Sequence, residues 1–451
     1  MKKLMLICAP FSSRSGYGDH ARDLFYAFNR SSKYDIKLMD VPWGTCPRNA
    51  LDYNSEKDKQ IIDCILPMPP QLDRQPDIYV DIRIPNEFET YGKFNIGITA
   101  GIETTAVSNK WIEGCNKMDL IIVPSKHSKD GFISSIYDKV QNMPDGSQQK
   151  VGEHKLEKPI EVLFEGVDEG VFKPLDIDKM SNSFLLKMDK MISEKFAFLF
   201  VGQWTKGGYG EDRKDISKMI KVFYESFSNK KKQPALILKT NGAGFSILEK
   251  EETLNKIKNI KNEFPNDWKL PNIYLLHGDM SRNELNDLYN HPKVKAMVSF
   301  THGEGFGRPL LEATMTGLPV IASGWSGQLD FLDGEKSLLL PGNLKQIPES
   351  VVWKDILIPE SSWFEIDEKL AYNALNYAFE NQGEVKRKGQ AQMYENRDRF
   401  TLDKMADKLD KIMENHISSM PSQVSLNLPK LKKVGNSNPP AIKLPKLKKV
   451  G

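Results

Sequence analysis

The run "VKAMVSF" (294–300), continued by "THGEGFGRPLLEATMTGLPVIAS" (301–323), carries the reading of the whole chain. Its first part is short, apolar and rich in β-branched and aromatic residues, so it predicts a buried strand. Gly303, Gly305 and Gly307 fall at alternate positions and open backbone conformations that other residues resist. Pro309 suits a first helical turn, "LLEATMT" continues the helix, and Gly317 stops it. "LPVIAS" (318–323) is the next strand. This strand–loop–helix–strand unit exposes backbone N–H groups at a helix N-terminus, which favours an anion such as phosphate.

Two acids sit in this anion-seeking unit. A carboxylate only accepts hydrogen bonds, so Glu312 suits paired hydroxyls such as those of a ribose. Glu304, inside the loop, suits sugar hydroxyls or a developing cation. Taken singly, Glu312 also reads as an acid complementing the helix dipole, and the glycines as an ordinary turn. Two acids at this spacing across a Gly-x-Gly loop favour a site. A nucleotide sugar, with hydroxyls at both ends and phosphates between, fits the layout.

"EGFGRPLLE" (304–312) resembles the E-x7-E signature of retaining GT-B glycosyltransferases, especially glycosyltransferase family 4, within a "GFGxPxLEAxxxGxPVIA" setting. The resemblance implies an α/β GT-B architecture of two doubly wound parallel-sheet, Rossmann-like domains facing a cleft. It implies a nucleotide-sugar donor, a hydroxyl acceptor and transfer with retention. Neither a metal nor a protein nucleophile is implied; the leaving phosphate takes the acceptor's proton on the same face. Glu304 becomes catalytic, and Gly305, Phe306, Gly307 and Glu312 bind the donor. The pattern is strong over 196–345, moderate over 94–175 and weak over 1–93. The chain also resembles glycosyltransferases of large tailed phages, some of which modify DNA bases or surface glycans. The acceptor class thus stays open among glycan, lipid, protein and a hydroxymethylated DNA base.

The 451 residues, 39% hydrophobic and 27% charged, suffice for two or three cores. No run of eighteen apolar residues predicts a transmembrane helix. "MKKLMLICAP" begins like a signal peptide, but its apolar run is short and "FSSRSGYGDHARDL" fits a strand-to-helix loop better. Cys8, Cys46, Cys64 and Cys115 lack metal-ligand spacing and suggest a reducing, cytoplasmic compartment, the host's for a phage protein. Seven histidines form no zinc motif. The net charge of +3 is misleading. Seven lysines and no acid lie in 421–451, leaving 56 basic against 60 acidic residues over 1–420. Polyanion affinity, including weak nucleic-acid binding, is therefore expected of the tail alone.

Strands are expected at 2–10, 34–41, 76–84, 94–101, 119–125 and 160–167, with helices at 18–30, 108–118 and 125–137. The polar stretch 141–158 reads as a surface loop. A second α/β series follows: strands at 196–204, 234–240 and 272–280, a helix from Ile216 to Ser228, then the opening unit. The expected domains are 1–170 on the acceptor side and 171–395 on the donor side. "FEGVDEGVFKP" resembles the family's interdomain connector. Amphipathic helices are expected at 369–381 and 400–417; the resemblance sends 396–418 back onto the first domain, while packing on its own domain is the alternative. Residues 419–451, with LPKLKKVG at 428–435 and 444–451, read as a disordered basic tail.

Further candidates flank the cleft. "QWTKGGYGEDRKD" (203–215) carries Lys206, Arg213 and Lys214 after a strand. Family members often hold the donor diphosphate with an Arg and a Lys here. Lys214 matches the lysine, Gln203 stands at the arginine's place, and Arg213 or Lys239 is left to supply the charge. Met280, ending "NIYLLHGDM", is assigned with them to the donor. "GYGDHA" (16–21) matches a dinucleotide fingerprint, with Asp40 ending the next strand. An NAD-dependent oxidoreductase using Gly16 and Gly18 is therefore a rival, as is a non-catalytic nucleotide-sugar-binding module. In the family the same glycines approach the donor phosphate across the cleft. Glu103, in "GITAGIETT", stands near the family's usual histidine and is assigned a catalytic role, with a helix N-terminal acid as the alternative. His127 reads as structural.

Overall fold

A computed structural model describes residues 2–143, 147–175, 183–205, 208–242 and 244–417. Lys206 and the duplicated tail octapeptides lie outside the described residues. The first half runs β1 (Lys3–Ala9), α1 (Gly16–Arg30), β2 (Tyr34–Asp40), α2 (Glu56–Ile62), β3 (Ile78–Ile82), β4 (Phe94–Ile98), α3 (Asn109–Lys117), β5 (Leu120–Val123), α4 (Lys126–Ser134), β6 (Tyr137–Asn142), β7 (Gln148–His154) and β8 (Ile160–Val162). The second runs α5 (Ser183–Met191), β9 (Ala197–Gln203), α6 (Ile216–Phe227), β10 (Ala235–Asn241), α7 (Ile247–Lys261), β11 (Ile273–Leu276), α8 (Arg282–Asn290), β12 (Val294–Ser299), α9 (Arg308–Met315), β13 (Val320–Ser323), β14 (Leu338–Leu340), β15 (Gly342–Gln346), β16 (Ser362–Ile366), α10 (Glu368–Glu380), α11 (Gln382–Arg399) and α12 (Leu402–Ile417).

Two six-stranded parallel sheets result, ordered β2-β1-β3-β4-β5-β8 and β11-β10-β9-β12-β13-β14. The apolar run "LMLICA" of β1 is buried at every position, as a strand covered on both faces requires. Chain order reverses beside β1 in one sheet and beside β9 in the other. Met5 pairs with Ile36 and Ile78, and Leu199 with Ile237 and Met297. In open α/β sheets ligands bind outside the strand ends at such reversals. Here that puts the loops after β1, β9 and β12 at the binding edge.

Serine hydroxyls start several helices. Ser15 accepts from Gly18 N, Ser125 from Ser128 N, and Ser281 forms a reciprocal box with Glu284. Gly317, at φ +82°, ends α9 as expected. The expected loop at 141–158 is corrected: β6 and β7 form an antiparallel hairpin. Its strands are largely exposed and polar, so no apolar alternation betrays them. The Tyr137 hydroxyl, donating to the Val107 carbonyl, anchors it to the domain, and Lys150 pairs with Asp138 across it.

Two contacts between the domains lie beside β16. Thr105 and Ser362 exchange hydrogen bonds at 2.9 Å, and Ser108 donates to the Asp355 carbonyl at 2.8 Å. The chain crosses between domains twice. Val167 N donates to Phe400 O at 2.9 Å, and Leu402 N to Val167 O at 3.0 Å. α12 then lies on α1, burying Met405, Leu409, Ile412 and Met413, with Arg30 facing Asp403, Asp407 and Asp410. Among the described residues no helix is long and apolar enough to cross a membrane.

Candidate functional site

The loop from β12 to α9 is fixed by its own polar atoms. The Ser326 hydroxyl accepts from Glu304 N at 2.9 Å, and Glu304 O accepts from Gly327 N at 2.9 Å. Gly307, at φ +97°, turns the chain into α9. Gly303 and Gly305 permit contact with the other domain. A methyl group on either would lie 2.0 Å from the carbonyl oxygen of Glu103 or Ala100. The amides of Gly305, Phe306 and Gly307 have no acceptor among the described residues. They lie at the positive end of a helix, where an anion is favoured.

The loop after β9 is clamped alongside. His302 N donates to Arg213 O at 3.1 Å. The His302 ring stacks on Trp363 at 4.0 Å and sets its nitrogens 2.8 Å from the Phe364 and 3.1 Å from the Gly210 carbonyl oxygens. The clamp delivers two cations to the glycine loop: Lys214 pairs with Glu304, and Arg213 pairs across the cleft with Glu103. Burial, then the Arg213 charge, pull the Lys214 ammonium down, and Glu304 opposes them. Burial works against the Arg213 charge, but Glu103 and Glu304 outweigh it. Glu103 lies six residues before α3, so the helix-acid alternative does not hold.

Glu312 sits apart from these pairs. It accepts from Arg308 Nε at 3.0 Å, and Arg308 Nη2 donates to Asp23 of α1 at 2.6 Å. Arg282, first residue of α8, reaches the same Asp23 oxygen at 3.2 Å. Burial pushes the Glu312 carboxyl up, against the pull of Arg308 and Arg282. Burial likewise pushes Glu165, beside this cluster, up to about 7. Sequence reasoning missed Arg308, Asp23, Arg282 and Glu165 as a group. One signal was available: Asp23 falls on the apolar stripe Ala21, Leu24, Phe25 and Phe28 of α1, an acid where the helix faces the core.

The remaining candidates scatter around this centre. Lys239 is spent on the Gly278 carbonyl at 2.8 Å. Gln203 ends β9 opposite Asn241, and Met280 packs on the core just beyond Gly278. A methyl group on Gly16 would meet open space, whereas one on Gly18 would lie 2.3 Å from Ser13 O. Asp40, the acid of the dinucleotide fingerprint, accepts from Ser12 N at 3.0 Å, the Ser12 hydroxyl and Arg48 at 2.7 Å. With those donors it braces its own loop. His127 meets Trp325 edge-on at 4.6 Å, and burial lowers its ring's basicity. Among the described residues no three His, Cys, Asp or Glu side chains group as metal ligands.

The cation loop after β9 and the glycine loop after β12 both belong to the second domain, where β16 clamps them through the stacking of Trp363 on His302. Residues 208–351 match the family described as Glycosyl transferases group 1. That match covers Arg213, Lys214, Glu304, Arg308 and Glu312. No curated protein sequence matches the chain. Among solved structures, sucrose-phosphate synthase from Thermosynechococcus elongatus is similar at 11% identity and TM-score 0.59, over 92% of this chain and 100% of that one. HepE from Anabaena, in complex with UDP-glucose, is similar at 14% and 0.59, over 91% and 99%. A UDP-forming trehalose-phosphate synthase from Burkholderia xenovorans is similar at 10% and 0.57, over 92% and 100%. At these identities the likeness shows the fold, a pair of GT-B parallel-sheet domains.

Proposed function

We propose that the protein is a retaining glycosyltransferase, akin to family 4, that moves a sugar from a nucleotide donor to a hydroxyl acceptor. The observation that carries this reading is the pairing of Lys214 with Glu304 and of Arg213 with Glu103, beside unpaired loop amides at the N-terminus of α9. A leaving nucleoside diphosphate gains negative charge as its glycosidic bond breaks. Fixed N–H donors and cations stabilise that charge most when it is fully developed. On this reading Lys214, Arg213 and the amides of 305–307 receive the diphosphate. Glu304, released from Lys214, faces the sugar ring, and Glu312 the ribose. The acceptor enters from the first domain beside Glu103. The leaving phosphate takes its proton, so no metal and no protein nucleophile is required. The four free cysteines support a reducing, cytoplasmic setting.

The engagement of Asp40 by Ser12 and Arg48 weighs against the oxidoreductase alternative, because the acid that would hold a cofactor ribose is occupied. The test is a nucleotide-sugar panel with UDP-glucose first, since HepE is seen with that ligand. A ligand that binds the folded state raises the melting temperature. The stabilising donor is then incubated with glycan, lipid, protein and hydroxymethylcytosine-DNA acceptors, and the product anomer is read by NMR. Glu304→Gln should keep the fold and lose transfer. Wild-type turnover in that variant overturns the site, an inverted product overturns retention, and donor binding without transfer or hydrolysis leaves a binding module.

A further inference from the structure

We infer that Arg308 is a diphosphate ligand, poised by Asp23 from the opposite domain; this rests on the donor reading above. Arg308 is the first residue of α9, one peptide beyond the amides of 305–307. It is 9% exposed. Its guanidinium is held on two sides, by Glu312 at Nε and by Asp23 at Nη2. A guanidinium is planar and rigid, so two fixed nitrogens fix the third. That third nitrogen, Nη1, is buried and has no hydrogen-bond partner. Among the described residues it is the one buried Arg or Lys nitrogen left in that state. Native proteins satisfy buried donors, and an exception asks for a group that is bound in function.

The neighbouring cations have partners already. Lys214 has Glu304, Arg213 has Glu103, Lys239 has the Gly278 carbonyl, and Arg282 has Asp23. Of these cations Arg308 has the nitrogen that is both buried and without a partner. The group that fits an unpartnered guanidinium N–H on the residue that follows the free loop amides is an oxyanion with several acceptor oxygens, such as the diphosphate of a nucleotide. Asp23 acts as a positioning residue. It holds the fork of Arg308 from across the cleft, so the ligand is gripped fully only when the domains are together.

The test is calorimetry on the full chain with UDP, GDP and ADP, and with the matching monophosphate and nucleoside of whichever binds best. Arg308→Gln should weaken the diphosphate by at least about tenfold, the scale of one charge-assisted hydrogen bond, and the nucleoside by less than about twofold. Arg282→Gln disturbs the same Asp23 but leaves Arg308 and its buried Nη1 in place, so its loss of diphosphate affinity should be clearly smaller than that of Arg308→Gln. Undiminished diphosphate affinity in Arg308→Gln, or equal losses in both variants, overturns the inference while leaving the donor reading in place. Failure of the wild type to bind any diphosphate overturns both. Circular dichroism checks folding. If Arg308→Gln unfolds, Arg308→Lys keeps the charge but loses the fork, and wild-type affinity in that variant overturns the inference equally.

Discussion

Glu304 and Glu312 look alike in the sequence, yet folding gives them different company. Glu304 meets a lysine on its own domain; Glu312 meets an arginine whose other edge belongs to the opposite domain. The first neighbourhood was legible, since a motif spacing and a charged loop after a strand are local facts. The second was not. Asp23 is 285 residues from Arg308, and only the closed pair of domains brings them together. Lys214→Ala should weaken a nucleoside diphosphate by roughly tenfold or more and leave the nucleoside unaffected, from a charge-assisted contact of about 1.5–3 kcal/mol. Equal calorimetric affinities would move that role to Arg213. Glu165 makes a separate prediction. Its folded carboxyl ionises near 7 because burial disfavours the charge, whereas the unfolded chain ionises at the ordinary carboxylate value. The folded state thus loses stability as pH rises between those values, and the loss is complete above the higher one. Glu165→Gln should gain stability relative to wild type across that window in urea melts. A difference that stays constant with pH from the ordinary carboxylate value up to about 7 would refute it.

At the scale of elements, the alternation of apolar runs with amphipathic segments foretold both sheets. A buried parallel strand needs apolar residues on both faces, as β1 and β9 have. The β6–β7 hairpin escaped notice because cross-strand pairing, invisible in composition, holds it. The loop between β12 and α9 shows a further limit. Its glycines announced a turn, but their tight contact is with Ala100 and Glu103 of the other domain. Gly305→Ala should therefore fold normally and hold the cleft ajar, because the added methyl would lie 2.0 Å from the Ala100 oxygen. Small-angle scattering should report a larger radius of gyration and assays a severe loss of transfer; an unchanged radius with full turnover would contradict this.

At the scale of the molecule, α12 is part of the first domain's core although it closes the second half of the described chain. Leu409 is 1% exposed. Leu409→Ala should destabilise the first domain by about 2–5 kcal/mol, the range for a buried leucine replaced by alanine. Urea unfolding followed by fluorescence in the presence and absence of donor would detect it, and an unchanged midpoint would make α12 an appendage. The return of α12 also has a mechanical consequence. The two chain crossings run side by side, bonded to each other at Val167, with Gly166 so close to Leu402 that a methyl group there would come within 2.8 Å of its Cα. Two ropes lashed together make a pin. Torsion about it must shear both strands, whereas bending strains neither, so the cleft is expected to open like a door on one axis and swing shut without losing its alignment. Spin labels at Lys126 and Ser281 should separate on opening while a pair flanking Val167 and Phe400 keeps its spacing; movement at both would mean the pin gives way.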